Sequence, residues 1–179
     1  TKEEAVITMV DANLQRENLL PSEKAFAYKM KAAAMKAQGK RTDLTSSQVA
    51  TKSDTATTIG QQLGESRDQV YRYIRLTYLI PELLKMVDEQ RIAFTPAVEI
   101  SYLPEREQRV LIDEIEYTDA TPSLSQAQRL RKFSNQGRLS VDTVFAVLSE
   151  EKPNQKEQVK FMTEDIRKYF PKNYSNKDM

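Results

Sequence analysis

The run from Ala56 to Leu79, ATTIGQQLGESRDQVYRYIRLTYL, narrows what this chain can fold into more than any other feature. Ile59 and Leu63 lie four residues apart and share one helix face, and Gly60 between them leaves room for another helix to approach. Gly64 is placed to end that helix, because the residue just past a terminus often turns left-handed, which glycine does without steric cost. Ser66 follows and is positioned to cap a second helix through its hydroxyl. Along that helix Val70, Ile74 and Tyr73 form the inward stripe, while Arg67, Asp68, Tyr71, Arg72 and Arg75 fall on the other side. Helix, glycine turn and helix with a cationic outer face read as a helix-turn-helix. The same pattern is a common structural unit, and an Arg-rich face is often only solvated. The joint spacing of Ile59, Gly60, Leu63, Gly64 and Val70 favours the DNA-reading form.

In that form the N-terminal part of the second helix suits the major groove, where Arg bridges two guanine acceptors and shorter polar groups hold phosphates. The candidate DNA-binding residues are Ser66, Arg67, Gln69, Tyr71, Arg72 and Arg75.

Only 4 Gly and 7 Pro among 179 residues, with 30% charged side chains, favour helix over sheet and predict an all-α chain of modest helical units. The absence of cysteine excludes a disulfide framework and thiolate metal sites, and the absence of histidine removes the commonest metal ligand and general base. No catalytic residue and no metal ligand are expected, so the chain is not read as an enzyme. No apolar run approaches the ~20 residues that cross a bilayer, and the N-terminus has no signal-peptide pattern. The expectation is a soluble, cytoplasmic protein with no membrane partner.

A net charge of +1 hides strong segregation. Lys29, Lys31, Lys36, Lys40, Arg41 and Lys52 cluster against Asp43 alone, and Arg129, Arg131, Lys132 and Arg138 form a second basic stretch; both are placed to flank DNA. Residues 82–119 hold ten acids against Lys85, Arg91, Arg106 and Arg109, a face suited to solvent or a basic partner.

Along the chain, Ala5, Val6, Met9 and Val10 have helical spacing, and Asp11 to Glu17 reads as a polar connection. Pro21 to Gly39 reads as one long helix burying Ala25, Phe26, Met30, Ala33, Ala34 and Ala37. A short helix is expected from about Ser46. Pro81 starts a helix with Leu83, Leu84, Met86 and Val87 inside, Ile92 and Phe94 anchor a turn, and another helix begins near Thr95 and Pro96. After Pro104, Val110, Leu111, Ile115 and Tyr117 give the next apolar side. Thr121 to Ser123 punctuate the chain before a basic helix that Gly137 ends, with Leu124, Ala127, Leu130 and Phe133 inward. Ser140 to Leu148 follows, using Val141, Val144, Phe145 and Leu148. Lys152 to Gln155 reads as a linker, and Gln158 to Phe170 as a C-terminal helix with Val159, Met162, Ile166 and Tyr169 or Phe170 along one stripe.

Three blocks in this order, NLQREN with LLPSEKAFAY, IGQQLGESRDQVYRYIRL, and LIPELLKMVDEQRIAF, resemble the ParB family of plasmid and chromosome partition proteins over about residues 9–94, nearest to members carried by mobile elements. The resemblance implies sequence-specific binding of a centromere-like, palindromic double-stranded DNA site by a homodimer, with a ParA-type ATPase as partner. It divides the chain into residues 1–20, a remnant of an N-terminal nucleotide-binding domain; 21–150, the DNA-binding domain with its helix-turn-helix at 56–79; and 151–179, linker and C-terminal helix. Asn13 and Arg16 match the family's last nucleotide-contacting motif, so the resemblance implies phosphate or metal-linked roles for them. Ala12 stands where the family commonly has Glu, and Asp11 is one position earlier. The family's earlier nucleotide motifs are missing, so no cofactor is expected in this chain, with CTP and Mg belonging to a full-length protein. A Gly-His motif is also missing, where this chain reads FTPAVEIS. Three other readings share these residues: a CTP-dependent clamp or CTPase switch in a full-length protein, a transcriptional regulator, and a helical adaptor docking a protein through its acidic surface.

Overall fold

The computed structural model of the chain describes residues 1–42 and 54–150. Among them it is all-α: α1 (Lys2–Leu14), α2 (Pro21–Thr42), α3 (Thr55–Leu63), α4 (Arg67–Leu76), α5 (Pro81–Asp88), α6 (Phe94–Ile100), α7 (Glu105–Thr118), α8 (Leu124–Asn135) and α9 (Val141–Leu148). The short helix near Ser46, the linker at Lys152 to Gln155 and the C-terminal helix from Gln158 lie outside the described residues. No helix among the described residues is long and apolar enough to cross a membrane.

Local chemistry sets most boundaries. Thr1 and Glu4 form a reciprocal capping box at α1, and Ser123 with Gln126 does the same at α8. Pro21 and Pro81 occupy first helical positions, where a missing N–H goes unnoticed. Gly137 adopts φ +64° just after α8, as a helix stop requires.

Two boundaries differ from the sequence reading. Asp11, Ala12 and Asn13 belong to the last turns of α1 rather than to a loop. Val10 and Leu14 continue the α1 stripe one turn further, and Asp11 pairs with Lys31 of α2. Gly39 does not end α2, which runs on to Thr42; a glycine inside a helix costs only about 1 kcal/mol relative to alanine.

α2 is the platform. α1 packs along one side of it, and α3 and α4 along another. Beyond α4 the chain builds a second layer, with α6 against α8 and α9 bridging α7 and α8. The larger core joins Leu76, Ile80, Leu83, Val87, Ile92, Ile100, Leu111, Ile115, Leu130 and Val144, each contributing about 1.5–3 kcal/mol if fully transferred from water. The smaller one joins Tyr28, Ala56, Ile59 and Val70. Tyr73 packs against both, edge-on to Tyr28 at 5.6 Å and tilted against Phe94 at 4.7 Å.

α2 is rotated relative to the expected stripe. Ala25, Tyr28, Lys31 and Ala34 are its buried residues, whereas Phe26, Met30, Ala33 and Ala37 face solvent. Lys31, its side chain only 2% exposed, is paired with Asp11 and is not placed to flank DNA. Tyr117, Leu124, Val141 and Phe145 are likewise exposed, and in α9 Val147 is buried with Val144 and Leu148.

Candidate nucleic-acid interface

The α3–α4 pair is built around a close approach that only glycine permits. A Cβ on Gly60 would sit 2.5 Å from the Glu65 carbonyl oxygen and 3.3–3.4 Å from backbone atoms of Ser66 and Arg67. What approaches Gly60 is therefore the turn leading into α4. Gly64 takes φ +70°, and the Glu65 amide donates to the Gly60 carbonyl at 2.8 Å. Ser66 caps α4, its Oγ accepting from the Gln69 amide at 3.1 Å, a bond worth about 1 kcal/mol.

α4 turns Val70 and Leu76 fully inward and leaves Ser66, Arg67, Asp68 and Tyr71 exposed, with Gln69 half-buried. Arg67 keeps 57% of its side chain in solvent and, among the described residues, hydrogen-bonds Asp68 at 3.3 Å, a pair too exposed to hold it. The Tyr71 hydroxyl donates to Asp54 Oδ2 at 2.6 Å; that bond, with some burial and the Asp54 charge, holds its pKa above the usual tyrosine value. Ser66 and Arg67 thus lie exposed at the N-terminal end of α4, with Tyr71 on the Arg67 side one turn further and Gln69 around the helix from them.

Arg72 and Arg75 are placed differently from that group. Arg72 donates to Thr95 Oγ1 at 2.8 Å and lies 5.0 Å from the Phe94 ring centroid. Arg75 donates to the Ser101 carbonyl at 2.6 Å and to Ser101 Oγ at 3.2 Å, tying α4 to the end of α6. Both are half-buried, so they fix the helix as well as contribute charge.

The sequence reading missed what surrounds Arg75. Its guanidinium lies 4.4 Å from the Tyr78 ring and 4.0 Å from that of Tyr102. Lys29 approaches Tyr78 at 5.2 Å, and Arg131 approaches Tyr102 at 3.6 Å while donating to Glu99 Oε2 at 2.9 Å. Lys29, Tyr78, Arg75, Tyr102 and Arg131 therefore form one alternating row of cations and rings from α2 over α4 and the segments after α4 and α6 to α8. Tyr71, Arg72, Arg75, Tyr78 and Tyr102 line a groove of about 400 Å³ beside it. The only signal in sequence was the presence of Lys29 and Arg131 in separate basic stretches.

Behind the turn, burial and the neighbouring Glu65 carboxylate push the Tyr28 hydroxyl far above its usual value near 10. Such a phenol favours the folded state only while neutral, so its contribution is complete below about pH 10 and lost as the unfolded chain ionises above it. Thermal unfolding followed from pH 8 to 11 should show stability falling above pH 10, with a weaker fall in Tyr28→Phe.

Asn13 and Arg16 are brought together at the end of α1, where they line a groove of about 260 Å³ with Met9, Leu19, Phe26 and Met30. Both are exposed. Comparisons with family models, curated proteins and solved structures find no match to this chain.

Proposed function

We propose that this chain is a sequence-specific double-stranded DNA-binding protein of the ParB-like partition type, with α3 and α4 as its helix-turn-helix. The observation that supports this best is the free face of α4. Arg67 and Tyr71 are exposed on one side of the first turns of a helix whose start is set by a glycine contact and a serine cap, with Gln69 half-buried in the same turns. In this reading Arg67 and Gln69 meet base edges, Tyr71 and the capped N-terminus at Ser66 meet phosphates, and Arg72 and Arg75 hold the helix in register. The row through Lys29, Arg75 and Arg131 supplies sequence-independent attraction to the DNA backbone.

Two copies on a palindromic site follow from the symmetry such motifs impose, and a ParA-type ATPase is the protein partner. Asn13 and Arg16 carry the phosphate-linked role that the ParB resemblance implies for them. Duplex titrations between about 50 and 200 mM salt test the backbone contribution. Lys29→Gln and Arg131→Gln should each lower the slope of log affinity against log salt by about 1, with sequence preference unchanged. Duplex binding indifferent to salt would count against this function.

A further inference from the structure

The turn that aims α4 is held from two sides, and only one of them is the Gly60 contact. Glu65, in the middle of that turn, forms an ion pair with Lys24 in the first turns of α2. Both side chains are largely buried, at 24% and 19% exposure. Lys24 Nζ also lies 4.6 Å from the ring centroid of Tyr73 on α4 and 5.7 Å from that of Tyr28. The second carboxylate oxygen of Glu65 is buried without a hydrogen-bond partner. One ammonium therefore grips the turn and the inner face of α4 together, and among the described residues Lys24 is the cation paired with the Glu65 carboxylate, which also lies beside the Tyr28 hydroxyl.

We infer that Lys24 and Glu65 are positioning residues for DNA reading: their ion pair sets the direction of α4, and with it the register of Arg67 and Gln69 on bases. The inference rests on the DNA-reading function proposed above. Its physical basis is that a pair taken out of water adds little net stability but is strongly directional, and removing one partner strands the other charge. Without Lys24 the Glu65 carboxylate moves toward water and carries the turn with it. Neither side chain needs to touch DNA for this to change recognition.

The test compares wild type, Lys24→Met and Lys24→Met/Glu65→Gln. Each is titrated with the duplex that wild type selects from a random library and with a scrambled duplex of equal length. Loss of one cation weakens both duplexes alike, so the ratio of the two affinities isolates positioning. That ratio should fall roughly tenfold in Lys24→Met. The double variant should regain thermal stability, since no charge is stranded, yet keep the reduced ratio. Amides 64–69 should exchange hydrogen faster in Lys24→Met than in wild type. An unchanged ratio, or a ratio that returns with stability in the double variant, would overturn the inference. If wild type selects no duplex, the DNA-reading function falls, and the register role falls with it. Amide exchange then still decides whether the pair holds the turn.

Discussion

Replacing Gln108 with Leu should destabilise the fold by on the order of 3–5 kcal/mol. Gln108 is 1% exposed and uses both ends of its amide. Its Oε1 accepts from the Ile80 amide at 2.8 Å, and its Nε2 donates to the carbonyls of Leu103 at 2.9 Å and Tyr78 at 3.0 Å. One side chain on α7 thereby satisfies the backbone at the α4–α5 junction and after α6. Leucine has a similar volume but leaves one donor and two acceptors unpaired, each at about 1–3 kcal/mol where water is excluded. In urea unfolding the midpoint should fall with an unchanged slope. A loss below about 1 kcal/mol would mean that water reaches these groups and that Gln108 is not the joint described here. Because the joint carries Tyr78, the variant should also disorder the row of cations beside α4.

Gly60→Ala is the second large effect, and its mechanism is steric. The new Cβ would meet a backbone carbonyl at 2.5 Å, which no rotamer change relieves. Either α3 or the turn must move, at a cost of about 1–3 kcal/mol, or roughly 2–12 °C in melting temperature for a chain of this size. Gly64→Ala provides the control. Nothing lies within 4 Å of its Cβ position, so only the left-handed backbone at φ +70° is penalised, at about 1 kcal/mol. Calorimetry should therefore rank Gly60→Ala below Gly64→Ala. The DNA affinity of Gly60→Ala should fall further than its stability explains, because the displaced segment is the one that aims α4. Equal melting temperatures for the two variants would contradict the close approach.

Much of this arrangement was legible because it depends on neighbours in sequence. Gly60, Gly64 and Ser66 announce a helix end, a tight approach and a cap within seven residues, and the structure places each in that role. Pro81 and Gly137 mark boundaries for equally local reasons. What sequence could not supply are choices made by distant partners. On α2 the stripe through Ala25, Tyr28 and Ala32 and the stripe through Phe26, Met30 and Ala33 have equally good helical spacing, and contact with α3 and α4 selects the first. Lys31 looked like a solvent-facing cation until Asp11, twenty residues earlier, met it. Arg72 and Arg75 share the outer spacing of Arg67, but Thr95 and Ser101 from α6 capture them. The pairing of Lys24 with Glu65 spans 41 residues and has no periodic signature.

Under the proposed function, α4 reads base sequence through Arg67. The most direct measurement is selection of bound duplexes from a random library at near-physiological salt, run in parallel with wild type and Arg67→Ala. Wild type should recover a palindromic motif, and Arg67→Ala should lose preference at one symmetric pair of positions, a change of about 1–3 kcal/mol at that base pair. Recovery of the same motif by both proteins, or of no motif by either, would contradict it.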